Sequence, residues 1–154
     1  MHTIQRIFFG NYILSVAFVS WLAAQVCKTV INYIMSGKLD MERMYGAGGM
    51  PSAHSAFVCS TVIASAKLVG INSPIFAIAF ILATIVMYDA TGVRRAAGEQ
   101  AKALNRISDW MSDDDENTLL DDGKKLKEKL GHTPFEVLGG ALLGILIAVL
   151  IPVC

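Results

Sequence analysis

Apolar and polar positions fall along this chain in long blocks. Four apolar runs stand out, at residues 11–35, 52–69, 74–89 and 135–153, each bounded by polar or turn-forming residues. A helix needs about 20 mostly apolar residues to cross the hydrocarbon core of a bilayer. The first run is long enough for one tilted crossing. The second and third are shorter and depend on interfacial ends. Residues 139–151 read Gly-Gly-Ala-Leu-Leu-Gly-Ile-Leu-Ile-Ala-Val-Leu-Ile, without the polar face that a surface helix of a soluble bundle carries. The pattern predicts an all-α, polytopic membrane helical bundle of about four transmembrane helices. The expected spans are 11–35, 52–69, 74–90 and 134–153, within a single membrane domain over residues 1–154.

Between the third and fourth runs lies a polar segment, 91–132. Residues 93–105 are rich in Ala, Arg, Glu, Gln and Lys, good helix formers, and predict a helix continuing from the third span. Residues 112–117 and 121–123 are acidic and turn-like. Residues 124–130 predict a short basic helix stopped by Gly131. The acidic run is read as a solvated stretch in preference to a divalent-cation site. The basic helix is suited to anionic lipid head groups.

Composition agrees with the membrane reading. Hydrophobic residues make up 54% of the chain and the net charge is zero, with a mean hydropathy of +0.52. The charges avoid the apolar runs: residues 7–35 hold only Lys28, 52–88 only Lys67, and 133–154 only Glu136. The first run lacks a small-residue cleavage site and carries Gln25, Lys28 and Asn32, so it reads as a retained helix, not a signal peptide. Cys27, Cys59 and Cys154 read as small hydrophobes, not as a disulfide framework or metal site. No internal repeat and no nucleic-acid motif is present.

Four spans put both termini on one side and the loops 36–50 and 91–132 on the other. Those loops hold ten of the lysines and arginines, against Arg6 and Lys67 near the opposite face. The positive-inside rule places the loops in the cytoplasm and the termini outside.

The polar residues left over gather at the cytoplasmic ends of the runs. Gly48-Gly49-Met50-Pro51-Ser52-Ala53-His54-Ser55 opens the second run. Ser52 is the expected N-cap, and the free N–H groups of a helix start attract an anion. Asp89-Ala90-Thr91-Gly92-Val93-Arg94-Arg95 closes the third. Arginine forks suit phosphate oxygens, although arginines here also serve as positive-inside anchors. Neighbouring helical residues point about 100° apart, so one of the two is expected to reach a ligand. Asp89 is expected to pair with Arg94 or Arg95 and lock the third span.

Gly131-His132-Thr133-Pro134-Phe135-Glu136 opens the fourth run. On a helix, His132 and Glu136 at i, i+4 share a face, and the carboxylate would orient the imidazole as a nucleophile or base. The alternative is an interfacial histidine beside a capping glutamate. Gln25, Lys28 and Asn32 form one polar stripe near the cytoplasmic end of the first span, expected to face the bundle interior.

These segments, with Ala97-Gly98-Glu99-Gln100-Ala101 and Leu126-Lys127-Glu128-Lys129-Leu130, resemble the divergent type-2 phosphatidic acid phosphatase family. That family is related by pattern to the acid phosphatase and vanadium haloperoxidase superfamily. The resemblance runs from residue 11 to 144. The superfamily uses one motif with Lys and Arg, one reading Pro-Ser-Gly-His, and one reading Ser-Arg, five residues, His, three residues, Asp. Pro51-Ser52-Ala53-His54 matches the second, with Ala53 in place of Gly. The third is split: Arg94 or Arg95 stands for its arginine, and His132 with Glu136 for its histidine and acid. Lys28 stands for the lysine of the first. Its arginine has no match at the expected spacing, and Arg43 is a weak substitute.

The resemblance implies a lipid-phosphate phosphatase of a bacterial inner (plasma) membrane, with a phosphorylated lipid as substrate and no cofactor or metal. His132 would be the nucleophile, and His54 the acid that protonates the leaving oxygen. Lys28, Arg94, Arg95, Ser52 and Gly49 would surround the phosphate, with Gln25 and Asp89 in support. The superfamily's two extra N-terminal helices are missing, so a homodimer is expected to cover the bare surface. Gly139, Gly140 and Gly144 offer a small-residue face for it. One rival is a non-catalytic lipid-phosphate binding or transport protein. Another is a metal enzyme using His54, His132, Asp89 and Glu136.

Overall fold

The structure, a computed structural model, describes residues 10–37, 49–112, 125, 126, 128 and 131–153. Among these the regular structure is entirely helical. Helix α1 spans Tyr12–Ser36, α2 Ala53–Val69, α3 Pro74–Thr91, α4 Val93–Ser112 and α5 Pro134–Leu150. α4 follows α3 after Gly92 alone, so the five helices make four rods. α1 and the α3–α4 rod are long and apolar enough to cross a membrane; α2 and α5 are apolar but shorter, at 17 residues each.

The helices start where the sequence supplies caps. Asn11, Ser52, Ser73 and Thr133 each accept a hydrogen bond from a backbone N–H of the first turn. Pro74 and Pro134 follow two of these caps in the first turn, where a missing N–H breaks no helical bond. α5 ends at Leu150, short of residue 153, because Pro152 cannot continue it. α4 runs on past residue 105 to Ser112.

α2 is the central helix, packed against α1, α3 and α5. Its contact with α5 is very close. A Cβ on Gly140 would overlap the Ser52 carbonyl, and one on Gly144 the Ala56 carbonyl. The two glycines expected to serve a dimer face are therefore used inside the chain, letting α5 lie against the α2 backbone. Gly139 faces the methyl end of Met50.

The opposite end of the bundle is tied by Lys67. Its Nζ donates to the carbonyls of Ala148, Val149 and Ile151, and the Tyr12 hydroxyl also donates to Ile151. The start of α1, the end of α2 and the end of α5 thus meet at one end. Outward, α3 presents Ile75, Ile78, Phe80, Ile81, Leu82 and Ile85, all exposed, while only Ala79, Ala83 and Ala90 are buried. A soluble domain rarely leaves so large an apolar face bare, and the face suits contact with a bilayer.

The expected basic helix at 124–130 is not seen at its described positions. Lys125, Leu126 and Glu128 are outside any helix. The Leu126 backbone bonds to the Asn105 side chain, its N–H donating to Oδ1 and its carbonyl accepting from Nδ2, both at 2.9 Å. Lys38, Arg43, Gly48, the acidic run at 113–123, Lys124, Lys127, Lys129 and Cys154 lie outside the described residues.

Candidate functional site

Three chain segments converge at the end of the bundle away from Lys67. The Ser52 N–H donates to the Glu136 carbonyl at 3.0 Å, joining the start of α2 to the first turn of α5. The His132 N–H donates to the Ala90 carbonyl at 3.0 Å, joining the approach to α5 to the last turn of α3. Gly131 has φ +79°, and a Cβ there would collide with the backbone of Arg94 and Arg95. Only glycine accepts both that torsion and that approach. The 36 residues separating Arg95 from His132 are thus closed by direct backbone contact.

His132 is 6% exposed, and its Nε2 is buried without a hydrogen-bond partner. Buried polar atoms are nearly always paired, and an orphan costs about 1–3 kcal/mol. The imidazole is held below its ordinary pKa, first by burial. Glu136 pulls it back up, while Lys28, His54 and Arg94 push it further down. That set of charges defines the company His132 keeps.

Lys28 is 6% exposed and turned into the bundle from α1. Its stem passes Gly49, whose hypothetical Cβ would lie 3.6–3.9 Å from it; Gly49 has φ +90°. Gln25, one turn earlier, is half-buried with an unpartnered Oε1. Asn32, one turn later, is half-buried.

The two arginines are not equivalent. Arg94 Nε donates to Asp89 Oδ2 at 2.5 Å, and the Arg94 charge acts on both His54 and His132. Arg95, exposed like Arg94, acts instead on Glu99. Asp89 thus fixes the Arg94 guanidinium by an ion pair.

His54 sits in the first turn of α2 and is exposed. It lines an apolar cleft of about 360 Å³ with Phe18, Trp21, Phe57, Val58 and Val86, where it is the one ionisable side chain.

Two expected roles change. His132 and Glu136 do not stack on a helix, because His132 precedes the Thr133 cap and the helix starts only at Pro134. Glu136 closes a capping box, Oε2 accepting from the Thr133 N–H at 2.8 Å while its own N–H donates to Thr133 Oγ1 at 3.3 Å. Its charge reaches His132, but its hydrogen bond goes to the cap. Ser52 is fully buried, and its Oγ accepts from the Ser55 hydroxyl and the Ser55 N–H. It builds the turn beneath the site, and both of these bonds go to Ser55 of the same turn.

Among the described residues no group of three His, Cys, Asp or Glu side chains is arranged to hold a metal ion, the four residues of the metal reading included. Three participants carry little sequence signal. The carbonyls of Ala90 and Glu136 carry none, since every residue has one. Asn105, 3% exposed, lies on the helical stripe Gly98, Ala101, Asn105; a polar residue in a small-residue stripe is a readable sign.

Compared with known proteins, residues 9–147 match the sequence model of the Divergent PAP2 family. The chain is 41% identical over 148 residues to a protein named "Uncharacterized membrane protein YuiD" from Bacillus subtilis (strain 168), covering 92% of this chain and 94% of that one. No solved structure matches.

Proposed function

Because this chain belongs to the Divergent PAP2 family, we propose that it is an integral-membrane phosphatase acting on a lipid phosphomonoester or pyrophosphate. The observation that carries this reading is the backbone junction of Gly131 and His132 with Ala90, Arg94 and Arg95. It unites the halves of a motif that the sequence splits, and leaves an unpartnered imidazole nitrogen among Lys28, His54 and Arg94.

In this mechanism Lys28 and Arg94 bind the phosphate and draw off its charge. His132 attacks phosphorus, forming a phosphohistidine as the ester oxygen departs. His54 gives that oxygen a proton. The leaving alcohol carries the lipid, so its acid belongs beside the tail, and His54 is the residue that lines the apolar cleft. Water, deprotonated by His54, then attacks phosphorus and frees His132 and inorganic phosphate. No metal enters these steps. With four spans in one domain, the positive-inside count sets the site at the cytoplasmic face and the termini outside. The substrate would then be a lipid phosphate of the inner leaflet.

The test is inorganic phosphate release from a panel of lipid phosphates by detergent-purified protein in EDTA, beside His132→Ala. Release by the wild type that is lost in the variant is the expected result. A second reading, lipid-phosphate binding without turnover, is favoured by one observation: the Glu136 carboxylate serves the cap and not the imidazole. It predicts binding that survives His132→Ala and no release from either protein.

A further inference from the structure

The chain that delivers His132 returns along α4 in a fixed order of contacts. Lys125 Nζ meets Asp109 Oδ2 at 2.8 Å. One helical turn nearer the bundle, Asn105 holds Leu126 through both backbone groups and donates to Glu128 Oε1 at 2.8 Å. Gly131 then lies on the Arg94–Arg95 backbone, and His132 bonds Ala90. Asp109 and Lys125 are both exposed, so that pair fixes little. Asn105 is buried, and three hydrogen bonds converge on its amide.

We propose that Asn105 is a positioning residue for His132, setting the register in which the chain comes back along α4. Asn105 stands ten helical steps from Arg95, a rise of about 15 Å. Gly131 stands five steps of chain from Leu126, and five steps at full extension reach about 17 Å. The chain between the two anchors is thus about as long as the stretch of helix it has to match. A slip at Asn105 is therefore passed to Gly131, which has no room against the arginine backbone, and so to His132.

This inference rests on His132 as the nucleophile, and its test separates the two claims. Asn105→Asp keeps the acceptor for the Leu126 N–H, loses the donors to Leu126 and Glu128, and sets two carboxylates face to face. Adding Glu128→Gln removes the repulsion and supplies an amide that donates to Asp at 105. Two readouts apply to the full chain in detergent: kcat and KM on the best lipid phosphate, and the ring titration of His132 by NMR. The latter is simplified by there being three histidines in the chain.

Asn105→Asp is expected to lower kcat about a hundredfold, the scale of an ångström-sized misplacement, with KM little changed. The His132 titration should move toward that of a free imidazole. The double variant should recover part of both, because an amide at 128 relieves the carboxylate repulsion while the Leu126 carbonyl still lacks its donor. Wild-type kcat and titration in Asn105→Asp would overturn the proposal, as would a loss of kcat with the His132 titration unmoved. If the wild type releases no phosphate from any lipid, the phosphatase reading fails instead. The titration, which needs no turnover, then decides Asn105 on the same terms.

Discussion

At the scale of single residues, the site is governed by what surrounds one imidazole. Burial and the charges of Lys28, His54 and Arg94 all favour the neutral form of His132, and only Glu136 opposes them. A nucleophilic histidine must be unprotonated. Its folded pKa lies below the ordinary 6.5, so the reactive form is lost only as pH falls through that lower value. The acid limb of the kcat/KM profile is expected below pH 6.5. Glu136→Gln sharpens the test. Glutamine preserves the capping box while removing the one charge that raises the His132 pKa, so the limb should move to still lower pH with activity retained. A limb that moves upward, or activity abolished in a folded variant, would return Glu136 to the role of direct partner. The residue types of the site were readable from sequence, because histidine, lysine and arginine beside apolar runs are costly without function. Their hydrogen bonds were not. The i, i+4 argument for His132 and Glu136 assumed a helix that, capped by Thr133, starts at Pro134, two residues too late.

At the scale of elements, the apolar runs located four of the helices, and Ser52 was readable as the cap that starts α2. What the pattern could not assign was which small residues face which neighbour, because a glycine stripe fits an intramolecular helix as well as a second copy. Here Gly140 and Gly144 lie over the Ser52 and Ala56 carbonyls. Lys67, counted from the sequence only as a charge near the far face, caps the last carbonyls of α5, a favourable place for a cation. The glycine assignment yields a paired prediction. Gly144→Ala should destabilise the protein, since its Cβ meets backbone and not a movable side chain; overpacking of this kind costs about 1–3 kcal/mol. Gly139→Ala should be neutral or stabilising, because its Cβ meets the flexible end of Met50 and alanine is the better helix former by about 1 kcal/mol. Thermal unfolding in detergent measures both. Equal effects would mean that α5 does not approach α2 through Gly144.

At the scale of the whole molecule, the ends of the bundle are chemically different. One gathers Tyr12, Lys67 and Ile151, with the turn at 70–73 beside them. The other gathers Lys28, Gly49, Ser52, His54, Ala90, Arg94 and His132. This polarity, together with the uneven loop charges, turns the proposed orientation into a labelling experiment. Asn72 is exposed in the turn between α2 and α3, and Gln100 is exposed on α4 beyond the site. In a chain with its native cysteines replaced by serine, Asn72→Cys should react with a membrane-impermeant thiol reagent on intact cells. Gln100→Cys should react only after the cells are opened. The reverse pattern would put the site outside and make its substrate an outer-leaflet lipid phosphate. Labelling of both positions from outside would deny that α3 crosses the bilayer between them. The site would then have to meet its lipid from the membrane surface, and the exposed apolar face of α3 would need another cover.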